Sequence, residues 1–392
     1  MIKLIKSTFF EEEKTKLALT EFITEANILS MGEQCKLFES NFAKHQDRKH
    51  CCFVNSGSSA NLVLLQSLIN LGRLKIGDKI AFSSLTWSTN VMPIIQLGLV
   101  PIPIDVELDT LNISSNKTEE TCRNESIKCL FITNLLGFCS DLDEIEKYCS
   151  SNNIILLEDN CESLGSVLKG KRLGNFGLAS TTSFFVGHHL STIEGGSVLT
   201  DDKELHDMLM ITRAHGWSRN IDSNLQSELL QKHKVDTFYN QYSFYELGYN
   251  LRPTEINGFL GNIQLAYLDL MINKREKNYI LYQAAAERNQ NIQPLNTNHM
   301  DLVSNFAFPL VFKSKELSVS YREIFKSNQI EIRPIVGGNI THQPFFKKYF
   351  GESYRMPNAE LIHEQGFYIP NNPELTSSEL NTITETISKL LW

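Results

Sequence analysis

The chain has 392 residues, 42% of them hydrophobic and 21% charged, with a formal net charge of −8. This length predicts two domains, or one large domain with an appendage, and the composition is that of a soluble globular protein. The acidic balance argues against nucleic acid as a partner, and no apolar run is long enough to span a bilayer.

The N-terminus, Met1-Ile2-Lys3-Leu4-Ile5-Lys6 followed by Glu11-Glu12-Glu13, is not a signal-peptide pattern, so a cytoplasmic protein is expected. All eight cysteines fall within the first 161 residues and form no C-x-x-C pair. Reduced thiols, several buried in strands, are expected, and no metal site. Lys79 to Phe82, Val100 to Asp105, Cys129 to Thr133 and Ile154 to Glu158 read as short apolar strands. Asn90 to Leu97 and Leu142 to Tyr148 read as helices between them, and Ser180 to Phe185 and Ser197 to Thr200 as further strands. This is the rhythm of an α/β domain with a mostly parallel sheet. Residues 220 to 246 break it and predict a long connection rich in aromatics. A long helix follows Pro253, with Ile256, Phe259, Leu260, Ile263 and Tyr267 on one stripe. From about Met300 a smaller α+β unit is expected. Its strands are Val303 to Phe312 and Ile330 to Arg333, with a helix at Glu316 to Lys326 and a final helix opened by the capping box Thr376 to Glu379. The expected domains are 1–255 and 256–392, with the first thirty or so residues packing on the smaller one.

Four strings carry chemistry. Asn55-Ser56-Gly57-Ser58-Ser59-Ala60-Asn61 precedes an apolar helix. It fits a backbone cradle for an anion at a helix start, and equally a serine-rich N-cap. Trp87 follows a strand, where α/β folds bind ligands and a flat ring can stack; a core tryptophan gives the same pattern. Leu157-Glu158-Asp159-Asn160-Cys161-Glu162 puts acids at the mouth of the sheet, as cofactor partners or as structural caps. Ser183-Phe184-Phe185-Val186-Gly187-His188-His189 follows another strand, and Asp159 lies 29 residues before His188. If the segment is extended, His189 points away from His188.

These strings resemble the sugar-nucleotide aminotransferases, fold type I (aspartate aminotransferase-like) enzymes that use pyridoxal 5′-phosphate (PLP). The likeness runs from about Ser30-Met31-Gly32-Glu33 to Gly337-Gly338-Asn339. In that family a lysine after the S-F-x-x-G run attaches to the cofactor covalently; here the position is His188. An imidazole can carry a proton but cannot make that attachment. The resemblance assigns the cofactor phosphate to Gly57, Ser58, Ser183 and, from a second subunit, Asn250. It assigns the pyridine nitrogen to Asp159, the ring face to Trp87, and a further cofactor contact to Glu162. His215, Arg219 and Arg333 are its substrate candidates.

It further implies a lyase of 3,6-dideoxysugar biosynthesis, with non-covalently bound PLP and pyridoxamine phosphate (PMP), that removes the C3 hydroxyl of a nucleotide-linked 4-keto-6-deoxy sugar. The GDP-linked mannose form is the first candidate, with L-glutamate as amine donor and a homodimer with shared sites. A cluster-bearing branch acting on CDP-sugars has cysteines after its R-x-x-G-W segment; none follows Trp217 here. A related CDP-hexose or heptose substrate, an aminotransferase, and a catalytically silent PLP-fold binding protein are the other readings.

Overall fold

The computed structural model describes residues 1–351 and 354–391. Its centre is a seven-stranded sheet, built from β1 (His50–Val54), β2 (Lys79–Ser83), β3 (Val100–Ile104), β4 (Ile127–Thr133) and β5 (Ile155–Asp159). After a small hairpin, β6 (Val167–Leu168) and β7 (Lys171–Arg172), the sheet is completed by β8 (Ala179–Ser183) and β9 (Gly196–Thr200). The strand order is β1-β9-β8-β5-β4-β2-β3. Only β9 runs against its neighbours; the other six strands point the same way. The strands are short and almost wholly buried because helices cover both faces, which is why β2, β4 and β5 read as largely apolar runs.

The helix Gly57–Asn70 lays Val63, Leu64 and Leu68 against Ile80, Phe82 and Phe131 on one face. On the other face Ala81, Leu130 and Ile132 share a core with Phe308, Ile369 and Tyr282 of the C-terminal part. There β10 (Met300–Leu302) pairs with β6, and β11 (Ala307–Val311), β12 (Arg333–Pro334) and β13 (Gly366–Pro370) form an antiparallel sheet in the order β11-β13-β12. The N-terminus joins that part: Ile2 bridges Ile330, and the Leu4 amide donates to Glu331 at 2.9 Å.

Three expectations change. The stretch 220–246 contains the helix Ser223–His233, capped by Asp222, so only part of it is irregular. The helix after Pro253 is two helices, Glu255–Leu265 and Leu268–Glu287, broken at Ala266-Tyr267. The strand expected at Ile330 to Arg333 reduces to Arg333–Pro334. No helix among the described residues is long and apolar enough to cross a membrane.

Phe184 links the frame to the loop that follows β8. It is fully buried and meets Phe38, Phe42 and Phe53 edge-on at 5.2, 5.0 and 5.7 Å. Phe184→Ala should cost about 3–5 kcal/mol in chemical denaturation; a loss below about 1 kcal/mol would show that this cluster does not anchor the loop.

Candidate active site

The parallel strands end at one edge, and the segments leaving them enclose a cavity of about 480 Å³. Gly57 and Ser58 reach it from β1, Trp87 from β2, Asp159 and Glu162 from β5, and Ser183 and His188 from β8. The C-terminal part closes the far side with Phe306, Arg333 and Tyr368. This is where α/β sheets hold ligands, because the loops diverge at the carboxyl ends of the strands.

Asp159 is 5% exposed and completes β5. Its Oδ2 accepts from Asn61 Nδ2 at 3.0 Å and Asn90 Nδ2 at 2.7 Å, and its Oδ1 from the Cys161 amide at 2.9 Å. Among the described residues no cation pairs with it. A buried carboxylate held only by neutral donors and lining a cavity suits a ligand that brings a positive nitrogen.

Ser56 caps the helix Gly57–Asn70 by accepting from the Ser59 amide at 3.0 Å. The serine cap therefore exists, and the amides of Gly57 and Ser58 remain unpaired among the described residues at the edge of the cavity. A Cβ on Gly57 would lie 2.7 Å from Ser183 Cβ and 3.2 Å from Cys161 Sγ, so only glycine lets the helix start approach β8 this closely. Free amides at a helix N-terminus beside the Ser183 hydroxyl make an anion cradle.

Trp87 is 53% exposed, a cavity wall and not a core residue. Glu162 Oε2 accepts from the Leu136 amide at 2.9 Å. Burial, reinforced by Asp159 and opposed by that hydrogen bond, raises its pKa to about 8, so near neutrality its carboxyl keeps a proton and can donate. Arg333, paired with Glu331 at 2.8 Å and exposed, stands at the mouth.

His188 sits in a tight turn, its amide bonded to the Phe185 carbonyl at 2.9 Å. The segment is not extended, and His189 is buried, with Nε2 3.0 Å from the Ser304 carbonyl. The His188 ring stands edge-on between Phe185 and Phe306, at 6.0 and 5.6 Å. Its Nδ1 is buried without a partner among the described residues, which leaves Nε2 to face the cavity. Burial lowers its pKa to about 4; Asp159 opposes that shift and Arg275 adds to it. At neutral pH the ring is an uncharged base.

His215, Arg219 and Asn250 lie outside this cavity in their own chain. The bridge between Ala214 and Asn250 holds the two segments together, and Asn250 is exposed. His215 packs on Trp217 at 4.8 Å, and the Arg219 guanidinium stacks on Trp217 and Tyr242 at 4.1 and 4.7 Å. Sequence reasoning missed Asn61 and Asn90, although Asn61 falls one helical turn after Gly57 and faces the same way. It also missed Leu4, Ile5, Phe306 and Tyr368, which reach the cavity from distant parts of the chain and left no local signal.

Fold and site together define an enzyme built on the fold type I PLP scaffold. Residues 10–388 match the DegT/DnrJ/EryC1/StrS aminotransferase family, and the chain belongs to it. It is 33% identical over 393 residues to GDP-4-keto-6-deoxy-D-mannose 3-dehydratase of Yersinia pseudotuberculosis, across 98% of each chain. The E. coli GDP-4-keto-6-deoxy-D-mannose-3-dehydratase with bound hydrated PLP superposes with a TM-score of 0.88 at 32% identity, across 99% of each chain. GDP-4-keto-6-deoxymannose-3-dehydratase with a trapped PLP-glutamate geminal diamine superposes with a TM-score of 0.87 at 31% identity, across 99% of this chain and 100% of that one.

The lowered pKa of His188 has a consequence for the cofactor-free protein. Unfolding releases the ring to its ordinary value of 6.5, so the unfolded chain binds a proton that the folded one refuses down to about 4. The stability at stake is fully present above pH 6.5 and lost as pH falls towards 4. His188→Gln should therefore lose less stability than wild type across that window in denaturant titrations; parallel acid profiles would contradict it.

Proposed function

We propose that this chain is a PMP-dependent 3-dehydratase that removes the C3 hydroxyl of a nucleotide-linked 4-keto-6-deoxy sugar, GDP-4-keto-6-deoxy-D-mannose first, with glutamate as amine donor. The observation that carries the reading is His188: a neutral imidazole aimed into the cavity at the position where the resembling aminotransferases hold a lysine. The relatives named above support the choice of sugar and amine donor.

Bound here, the cofactor supplies an amine for the C4 ketone and a ring that accepts electrons. The chain's residues do the rest. The unpaired amides of Gly57 and Ser58 and the Ser183 hydroxyl receive the phosphate. Asp159 receives the pyridinium, and its two asparagine donors keep the carboxylate aimed. Trp87 covers a ring face. Glu162, protonated, offers a hydrogen bond from the β5 loop. His188 Nε2 accepts a proton inside the cavity and, once imidazolium, is the acid that lets the C3 hydroxyl leave as water. Because the chain presents no lysine at this position, nothing ties the cofactor down covalently or returns an amine to the sugar. A 3-deoxy-4-keto sugar and ammonia are the expected products.

Purified protein with PLP, glutamate and GDP-4-keto-6-deoxymannose should give a product one oxygen lighter, with ammonia released, by mass spectrometry. An amino sugar instead would mean an aminotransferase. Conversion of PLP to PMP with the sugar untouched would point to a CDP-hexose or heptose. His188→Lys should trap PLP covalently and lower dehydration roughly 10²–10⁴-fold, the usual size of lost acid–base help; undiminished turnover would end the assignment.

The same reading makes the enzyme a cytoplasmic homodimer in which Asn250 serves the partner's site. Asn250 is exposed in its own chain, beside Tyr242, Phe244 and Leu247, which are 72, 60 and 73% exposed. Such an apolar surface suits a second copy. Mixing inactive His188→Gln and Asn250→Ala proteins should then restore about one quarter of wild-type activity, because half the dimers carry one intact site. Absence of recovery, with subunit exchange verified, would place Asn250 in its own chain's site.

A further inference from the structure

Arg275, on the helix Leu268–Glu287, is 4% exposed and meets no carboxylate within ion-pair distance among the described residues. Its Nη1 donates to the carbonyls of Phe306, at 3.1 Å, and Asn371. Its Nη2 donates to the carbonyl of His188 at 3.4 Å. Its Nε has no partner among the described residues. A guanidinium satisfied by carbonyls alone is a costly group to bury, and a well-packed apolar side chain would serve packing better. Burial draws its pKa down to about 9.

The three carbonyls come from three segments: the turn after β8, the residue before β11, and the residue after β13. Phe306 is also one of the two rings that flank the His188 imidazole. Asn371 closes the arrangement, donating from Nδ2 to the Arg275 carbonyl at 3.1 Å and to the Asn305 carbonyl at 3.0 Å. The guanidinium thus grips the backbone of His188 and the backbone of one of the two rings that flank its imidazole.

We propose that Arg275 is a positioning residue for His188, tying the turn that carries the imidazole to the backbone of the ring beside it and holding a positive charge at that turn. This rests on the reading of His188 as the proton carrier. The other titratable groups around the cavity are Asp159 at the end of β5, Cys161 and Glu162 just after it, His189 in the same turn, Glu194 before β9, Arg333 on β12 and Tyr368 on β13. Of these Asp159 favours the imidazolium, whereas burial and Arg275 oppose it. A mere staple between the two parts of the fold would need no charge.

The test uses histidine-labelled, cofactor-free protein. The His188 ring signal, assigned by its loss in His188→Gln, is titrated by NMR in wild type, Arg275→Gln and Arg275→Lys. Removing the charge in Arg275→Gln should raise the His188 midpoint, and the acid limb of kcat/KM should move with it. Arg275→Lys keeps the charge but cannot span three carbonyls. Its midpoint should stay near wild type while kcat falls about ten- to a hundredfold with KM little changed. A wild-type midpoint in Arg275→Gln, or wild-type kcat in Arg275→Lys, overturns the proposal. If Arg275→Gln does not fold, Arg275→Lys decides by kcat alone. The NMR midpoint involves no sugar, so an error in the proposed substrate leaves that outcome readable.

Discussion

A carboxylate without a cation organises this site. Asp159 is buried at the end of the central strand, and its oxygens are met by two asparagine amides and one backbone N–H. Each donor comes from a different part of the fold: the helix after β1, the turn after β2, and the loop after β5. Holding an anion in a protein interior is expensive unless its lone pairs are filled and a positive partner is supplied. Neutral donors fix its orientation without neutralising it, so the missing charge has to come from the cavity. The sheet order puts β5 beside β4 and β8, and so Asp159 within reach of everything that leaves those strands.

His188 answers the same constraint from the other side. A charged imidazole could have been the partner of Asp159, and the pull in that direction exists, but burial and the Arg275 guanidinium outweigh it. The ring stays neutral and free to take a proton. Glu162 is pushed the opposite way and keeps its proton to about pH 8. Two ordinary titrating groups in one cavity are thus displaced in opposite directions, which separates a base from an acid. Both shifts come chiefly from desolvation, so both depend on the wall that Phe306 and Tyr368 bring from the C-terminal part.

The sequence was most legible where a strand ends in a functional residue. The short apolar run Ile154-Ile155-Leu156-Leu157 leads directly to the acids that close β5 at the sheet's mouth, whereas Ser183 ends a strand of small polar residues, Ala179–Ser183. β1 was harder: His50-Cys51-Cys52-Phe53-Val54 carries no strand-specific alternation, although its end supplies the helix start that makes the anion cradle. The two helices after Pro253 read as one because Ala266-Tyr267 contains no breaker, and a shared apolar stripe runs across the joint. The helix Ser223–His233 buries none of its residues, so it has no apolar face from which to be recognised.

What the sequence determined by itself is the chemistry: a histidine in place of a lysine, an acid after a strand, and glycine and serine at a helix start. These are local facts, set by residue type and by spacing within one strand–turn unit. What the tertiary structure alone decided is the state those groups are in. His188 is kept neutral by burial, to which Arg275, 87 residues away, adds its charge; Glu162 keeps its proton through burial, against the pull of an amide 26 residues earlier. Desolvation and charge proximity act through space and have no period along the chain, so only folding could bring them to bear.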